Sequence, residues 1–345
     1  MLLRYGVDFG IHAAVMDKEI SAPCSKYTSL FHVGDPMNFD DVIRFGKEIA
    51  VITIEKEAVN AEALKRLHIN GVKVYPSPET IETIQDKYTQ KQFLQEDKIA
   101  VVMGWLVGDK TELQSLTDKL PACLKKCKNG YDGSGVFLLR TSEDISKAFD
   151  KACVLEELVD VKHEISVIVS GNENGLVECY YPVLMILDKE RMLLDFQICP
   201  ADIDTDTAIR VCAIAQKVAV AIGLTGIIVV EMFIVGNGKI YVNELAPRPN
   251  NSGHHTTKAS TTSQFEQQIR EMLGLPIGNT KLNNASVMIS ILGLAPHRKK
   301  LMMQALKTIL CTDDVHLHMY GKTPCKEVRK MIHVTITNIN VKDAL

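Results

Sequence analysis

The segment Asn243-Glu244-Leu245-Ala246-Pro247-Arg248-Pro249-Asn250-Asn251-Ser252-Gly253-His254-His255 concentrates a carboxylate, an arginine, several amides and two imidazoles. It continues the β-forming run Lys239-Ile240-Tyr241-Val242, and a second carboxylate, Glu231, lies thirteen residues before Glu244 in an apolar run from Gly226 to Ile234. Gly236-Asn237-Gly238 between the two runs predicts a hairpin turn. Two adjacent antiparallel strands would then each direct an acid at one site. Facing carboxylates repel unless a cation lies between them, and hard oxygen ligands suit Mg²⁺ carrying nucleotide phosphates. Taken alone, the segment fits equally well one buried acid paired with Arg248 and one exposed acid.

Upstream, a short apolar strand from Pro121 ends in Lys125 and Lys126, and Gly130, Gly133 and Gly135 follow closely. Such a loop can turn backbone N–H groups towards phosphate oxygens, with a lysine adding a point charge. The spacing is not that of a P-loop, GxxxxGK[ST], and by itself the loop reads more readily as an ordinary turn. Beyond it, the acidic pair Glu156 and Glu157 ends one strand and Glu164 opens the next, where it can accept hydrogen bonds from ribose hydroxyls. In isolation this stretch reads as a hairpin with a solvated acidic turn.

Lysine strand, glycine loop, acidic hinge and paired carboxylates, in that order, are the parts of an ATP-grasp site. The details resemble the N5-carboxyaminoimidazole ribonucleotide synthetase family, ATP-dependent carboxylases of bacterial and fungal purine synthesis. The resemblance is carried by Gln85-Asp86-Lys87-Tyr88-Thr89-Gln90-Lys91-Gln92-Phe93, by Gly130-Tyr131-Asp132-Gly133, and by Asn243 to Arg248 with Asn251-Ser252-Gly253-His254. Thr262 to Gln267 and Arg329-Lys330 with His333 extend it over nearly the whole chain.

The resemblance implies an α/β (α+β) ATP-grasp fold. Residues 1–84 would form a truncated N-terminal βαβ (pre-ATP-grasp) domain, 85–279 the ATP-grasp domain and 280–345 a small C-terminal β-rich lobe. It also implies an activity: ATP phosphorylates bicarbonate, and the amine of aminoimidazole ribonucleotide attacks the carboxyphosphate or its CO₂. By the same resemblance, Lys87 and Lys125 hold the ATP phosphates, and the loop Gly130, Tyr131, Asp132, Gly133, Ser134, Gly135, Val136 covers them. Glu156, Glu157, Leu158 and Val159 hold adenine through the backbone and an acidic side chain, and Glu164 holds the ribose. Glu231 and Glu244 bind Mg²⁺ with Asn243 beside them, and Arg248 stabilises the transferring phosphoryl group or the carboxyphosphate. Tyr131 and Asp132 contact the aminoimidazole. Asn251, Lys322, Arg329 and Lys330 hold the ribonucleotide, the last two at its 5′-phosphate; without the family, Arg329-Lys330 reads equally as a solvated basic turn. His254 orders its loop or touches substrate, and no Cys or third His is spaced with it and His255 for zinc. Glu55 and Glu57, at a strand end, read as solvent-facing or as lining the ribonucleotide pocket. Relatives are usually dimeric, so a homodimer is expected.

Several positions depart from the family pattern. The strand and loop of type GxGQLGRM would precede Met1, and the N-terminal sheet is expected to lose a central strand and expose unpaired edges. The chain also stops soon after His333. Asn129 replaces a glycine, Asn250 a histidine, Gly171 an arginine, Ile332 a glycine, and Asp188 a nucleotide-contacting histidine of some members. These departures leave two alternatives open: an impaired ATP-binding fragment, or another ATP-grasp ligase, against which Asn251-Ser252-Gly253-His254 weighs.

The elements that position these residues follow from composition and periodicity. A chain of 345 residues fits two or three α/β units. A net charge of −3 and a pI near 6.4 give no basic field for nucleic acid or an anionic membrane. Nine cysteines, an odd number without metal-ligand spacing, predict reduced thiols and a cytoplasmic home. The run Val218–Val235 is interrupted by Gly223, Thr225, Gly226 and Glu231, which predicts a helix end, a turn and a strand and not a membrane span. No signal peptide is expected at Met1. Strands are predicted near 11–15, 48–53, 72–75, 99–106, 121–126, 153–159, 164–170, 226–235, 239–244, 287–292, 315–319 and 333–337. Helices are predicted over 40–47, 60–67 and 206–222, and one from Thr80 carries Lys87 and Lys91 on the same face.

Overall fold

The structure, a computed structural model, describes residues 1–130, 135–188, 193–293, 299–325 and 329–340. The N-terminal region holds α1 (Leu2–Asp8), β1 (Val15–Asp17), β2 (Phe31–Val33), α2 (Phe39–Gly46), β3 (Val51–Thr53), α3 (Ala61–Ile69), β4 (Lys73–Tyr75) and α4 (Pro78–Gln85). Asn38, Asn60 and Ser77 each cap a helix by accepting a backbone N–H with the side chain. The strands are parallel, as a βαβ unit requires, but they form two separate pairs, β1–β2 and β3–β4. Val42, Ile52, Leu64, Leu67, Val74 and Ile81 pack between the helices and these pairs.

The helix expected from Thr80 is broken. Asp86 is extended and accepts from the N–H groups of Tyr88 and Thr89, starting α5 (Lys87–Glu96) in a new direction. Lys87 therefore stands at the first turn of its own helix. A four-stranded antiparallel sheet follows, built from β5 (Gly104–Val107), β6 (Ala122–Lys126), β7 (Val136–Leu139) and β8 (Cys153–Glu157) in the order β5-β8-β6-β7, with α6 (Lys110–Gln114) beside it.

Among the described residues, a nine-stranded sheet forms the rest of the frame. It contains β9 (Val161–Gly171), β10 (Val177–Cys179), β11 (Val183–Asp188), β12 (Leu193–Cys199), β13 (Gly226–Val235), β14 (Ile240–Ala246), β15 (Ser286–Leu292), β16 (Val315–Met319) and β17 (Lys330–Thr337). The order is β14-β13-β9-β11-β12-β15-β17-β16, with β10 on β9, so the last three strands continue the central sheet. The further α-helices among the described residues are α7 (Thr205–Ala221), α8 (Thr256–Ala259), α9 (Gln264–Met272) and α10 (Lys299–Leu310).

Period-two alternation explains the long apolar run of β13. Ile228, Val230 and Met232, with Ile165, Val167 and Val169 of β9, pack under Val211, Ala215, Val218 and Ala219 of α7. Ile227 and Val229 face the other way, with Ile168, Tyr180 and Ala246. Glu231 falls on this second face, and so do Glu164 and Ser166 of β9. The acidic stretch after β8 is not a hairpin: β8 and β9 belong to different sheets, and residues 158–160 cross between them.

Candidate functional site

Glu231 and Glu244 are direct cross-strand partners in the β13–β14 hairpin, which turns at Gly238 with φ +76°. Just beyond this pair the register shifts, so that Met232 faces Val242 and Asn243 has no partner of its own. A bulge of this kind re-aims side chains next to a site. Here Asn243 accepts a hydrogen bond from Lys125 at 2.7 Å, and Glu244 pairs with Lys87 at 2.6 Å. Two lysines from two separate elements thus converge on consecutive residues of β14.

Burial, then the neighbouring charges of Glu244 and Glu164, push the Glu231 carboxyl up to about 7. Burial also raises Glu164. Three acids on one face with one of them held this high mark a position short of positive charge. All the donors are hard oxygens, with the Asn243 amide alongside. The set fits Mg²⁺, which takes one or two carboxylates and completes its shell with water and phosphate. No group of three or more His, Cys, Asp or Glu side chains among the described residues, this one included, is arranged to hold a metal ion, so these residues would supply one or two carboxylates at most.

Lys125 on β6 is also tied to Glu156 of β8, Nζ to Oε2 at 2.7 Å, while the other oxygen of Glu156 meets Lys91 at 2.9 Å. Glu156 therefore spends both oxygens on lysines, whereas Glu157 and Leu158 are exposed and Val159 is half-buried at the crossing to β9. The glycine loop is pinched at its base. A Cβ on Gly135 would lie 2.6 Å from the Gly130 Cα, and the Gly135 carbonyl accepts from the Lys126 N–H at 2.9 Å. Asn129 precedes this neck with φ +60°, a conformation that asparagine tolerates better than most residues. Val136 begins β7. Tyr131, Asp132, Gly133 and Ser134 lie outside the described residues.

Arg248 follows β14 and pairs with Glu57 of the N-terminal region: Nη2 donates to Oε2 at 3.0 Å, while Nε lies 2.8 Å from Oε1 without making a hydrogen bond. One charge-assisted hydrogen bond and a close ionic contact hold the two groups together. Asn250 reaches the Glu231 carboxylate at 3.4 Å, and its backbone is held on both sides by the Gln264 amide, at 2.9 and 2.8 Å. Gln264 also lies 3.1 Å from His254 Nδ1. Asn251 opens the short 3₁₀ turn Asn251–Gly253, and a Cβ on Gly253 would collide with the Gln264 side chain. Ser252 bonds Ser166 of β9 at 2.8 Å, and its carbonyl accepts from Gln197 of β12 at 2.6 Å.

His254 packs tilted against His333 with ring centroids 4.7 Å apart, and His318 stacks on His333 at 5.0 Å. Tyr320 Oη lies 2.8 Å from His333 Nδ1. Burial lowers His254 well below the ordinary imidazole range and takes His333 to about 3, so these rings are neutral. Lys322 lies over the Tyr320 ring at 4.7 Å and donates to the Lys330 carbonyl at 3.0 Å. Arg329 bonds the carbonyls of Thr323 and Pro324, and Lys330 is buried. Lys322 thereby sits on Tyr320, a ring neighbour of His254, while Arg329 braces the turn beside it. Ile332 packs into the core with Leu306 and Val334.

Sequence reasoning missed Lys91 as a partner of Glu156 and read Glu57 as solvent-facing or pocket-lining, without its clasp on Arg248. Both partnerships join residues far apart in the chain, and no local spacing signals them. A separate cavity of about 620 Å³, lined by Asn172, Glu173, Glu271 and Gly278 among others, includes none of the site residues.

Comparison with known proteins agrees with this geometry. The family signature for an ATP-grasp domain matches residues 92–265, that for a ribonucleotide synthetase preATP-grasp domain residues 1–85, and that for a phosphoribosylaminoimidazole carboxylase C-terminal domain residues 286–345. The N5-carboxyaminoimidazole ribonucleotide synthase of Bacillus subtilis is 33% identical over 333 residues, 94% of this chain and 85% of the relative. The chloroplastic phosphoribosylaminoimidazole carboxylase of Vigna aconitifolia is 29% identical over 97% of this chain, which spans 61% of that longer protein. The N5-carboxyaminoimidazole ribonucleotide synthetase structure from Thermotoga maritima superimposes with a TM-score of 0.88 at 32% identity, covering 99% of this chain and 91% of the other. An Aspergillus clavatus N5-carboxyaminoimidazole synthase in complex with ADP and 5-aminoimidazole ribonucleotide gives 0.90 at 27% identity, covering 100% and 92%. The chain belongs to the N5-carboxyaminoimidazole ribonucleotide synthase family of ATP-grasp proteins.

Proposed function

We propose that this chain uses ATP and bicarbonate to carboxylate the exocyclic amine of 5-aminoimidazole ribonucleotide, giving the N5-carboxyamino product, ADP and phosphate. The observation that carries this reading is the meeting of Lys87 and Lys125 with Glu244, Asn243 and Glu231 beneath the base of a glycine loop. A bicarbonate oxygen attacks the γ-phosphorus, the bond to ADP breaks, and carboxyphosphate forms. The amine nitrogen then bonds to the carboxyl carbon, phosphate leaves and the amine loses a proton.

Such transfers need alignment and charge neutralisation more than covalent help. Lys87 and Lys125 neutralise the ATP phosphates, and Glu231 and Glu244 hold Mg²⁺, which supplies charge compensation on the phosphates when bound. We assign the glycine loop to the ATP phosphates and its Tyr131 and Asp132, outside the described residues, to the aminoimidazole. Glu156 to Val159 line the adenine side, and Glu164 receives the ribose hydroxyls. Arg248, fixed by Glu57, stabilises negative charge on the transferring group. Asn251, His254, Lys322, Arg329 and Lys330 hold the ribonucleotide. We assign the chain no nucleic-acid or membrane partner, a cytoplasmic setting and a homodimeric state.

A second reading, an ATP-binding chain impaired in ribonucleotide use, is favoured by the split of the N-terminal strands into two separate pairs. ADP release with Mg-ATP and bicarbonate, with and without aminoimidazole ribonucleotide, separates the two. Stimulation by the ribonucleotide is expected; ATP binding without stimulation would leave the second reading.

A further inference from the structure

The walls of the 620 Å³ cavity come from the turn between β9 and β10, the end of α9 and the loop from Gly274 to Thr280. Three carboxylates line it, Glu173, Glu178 and Glu271, and among the described residues no Lys, Arg or His does. Leu176, Leu275 and Ile277 add apolar wall. Glu173 and Glu178 are exposed, whereas Glu271 is 1% exposed, so the acids run from the mouth to the floor.

The floor is held firmly. Glu271 Oε1 accepts from the Ser170 hydroxyl at 2.9 Å and from the Gln267 amide at 2.8 Å. The oxygen of that same amide accepts from the Gly278 N–H at 3.0 Å. A Cβ at Gly278 would lie 2.5 Å from Thr262 and 2.8 Å from Gln267, so a larger residue would push this loop off the floor. The other carboxylate oxygen, Glu271 Oε2, is buried and has no hydrogen-bond partner among the described residues. A buried acceptor left in this way is costly. Burial also holds the Glu271 carboxyl above its ordinary range. The adjacent Arg270 is committed elsewhere, to Glu266 at 2.8 and 2.9 Å and to the Pro276 carbonyl at 3.4 Å.

We propose that this cavity binds a small alkyl diammonium or polyamine, with one ammonium on Glu271 Oε2, the methylenes along Leu176, Leu275 and Ile277, and a second ammonium at the Glu178 end. Acids without bases in the wall select a cation, and a buried carboxylate calls for a partner that reaches it. No three acids here are gathered as a metal ion requires, which selects an extended cation with separated charges. The apolar wall between the acids suits a methylene stem, and the volume is that of a small-molecule pocket. The site shares no residue with the nucleotide site and stands whether or not the carboxylase reading does.

The test is binding of putrescine, spermidine and butylammonium to the full chain at physiological ionic strength, by titration calorimetry and saturation-transfer NMR. Putrescine and spermidine are expected to bind at millimolar concentration or below, and butylammonium, with one charge, more weakly. Glu271→Gln keeps an acceptor for Ser170 and Gln267 and is expected to weaken putrescine by about tenfold or more. Glu178→Gln, on the exposed edge, carries no risk to the core and is expected to weaken the diammonium while leaving butylammonium unchanged. Glu231→Gln, in the nucleotide site, should leave putrescine affinity as it is. No binding by the wild-type chain would overturn the proposal. So would equal affinity in Glu271→Gln, which would mark diffuse surface attraction, or a loss in Glu231→Gln as large as that in Glu271→Gln, which would place the ligand among the nucleotide-site acids.

Discussion

Glu231 on β13 faces Glu244 on β14, yet the two are held very differently: Glu244 has the Lys87 ammonium at 2.6 Å, while Glu231 meets the Asn250 amide at 3.4 Å. The Glu231 carboxyl, pushed up to about 7 from an ordinary 4.5, is stable in the fold mainly in its protonated form. Its contribution to ligand-free stability is complete below about pH 4.5 and is lost as the pH rises through about 7. Glu231→Gln is expected to remove that slope and to stabilise the ligand-free chain at pH 8 by roughly 2–3 kcal/mol at most. The same substitution should lower ADP release by about 10²–10³-fold. Thermal unfolding across pH 5–8, with steady-state ADP assays, checks both halves. A variant no more stable than wild type at pH 8 would show that the pair is not repulsive.

Arg248 and Glu57 give a second prediction. Arg248→Ala is expected to reduce ribonucleotide-stimulated ADP release by about 10²–10³-fold, as when a single charge-stabilising donor is lost. Mg-ATP affinity should change little, because Lys87 and Lys125 remain. Glu57→Gln keeps one acceptor for Arg248, and a milder loss of about tenfold is expected. If Glu57→Gln were as damaging as Arg248→Ala, Glu57 would have to act on substrate directly.

The buried imidazoles predict acid lability. Burial takes His255 to about 4 and His333 to about 3, from an ordinary 6.5. The unfolded chain takes up these protons first, so stability is lost as the pH falls from 6.5 towards 4, by up to about 3 kcal/mol for each ring. His255→Gln should flatten the fall in melting temperature over this range. An unchanged slope would place the acid sensitivity elsewhere.

The neck of the glycine loop is the fourth test. A methyl group at position 135 would lie 2.6 Å from the Gly130 Cα, so Gly135→Ala must push the two loop ends apart. An increase of about tenfold in the ATP dissociation constant is expected, with a stability change of about 1 kcal/mol. Unchanged ATP affinity would mean that the loop holds phosphate without a closed base.

The hairpin carrying Glu231 and Glu244 was legible in the sequence because its signals are local: a glycine turn, β-forming flanks and an alternation of two. The bulge at Asn243 was not, since it depends on how β14 settles against β13. The break at Asp86 passed as a continuous helix because Lys87 and Lys91 fit one helical face on either side of a cap. The strands β11 and β12 and the helix α10 went unread, and the residues after β8, which alone resemble a hairpin, cross between two sheets. Lys91 and Glu57 are ordinary charged residues until the fold supplies Glu156 and Arg248. Only the motif resemblance, not the periodicity, placed Lys322, Arg329 and Lys330 in the same neighbourhood as His254.

The continuity of the large sheet sets how the parts can move. Glu231 and Glu244 at one end and Lys330 and His333 near the other are rungs of a single hydrogen-bonded ladder. They behave as an anvil, with their spacing fixed before any substrate arrives. Lys125 and the glycine loop ride on the small four-stranded sheet, joined to the anvil by the crossing at residues 158–160. Adjustment to the nucleotide therefore falls to the hammer, and a fault in its stroke should show in ATP handling before it shows in recognition of the ribonucleotide.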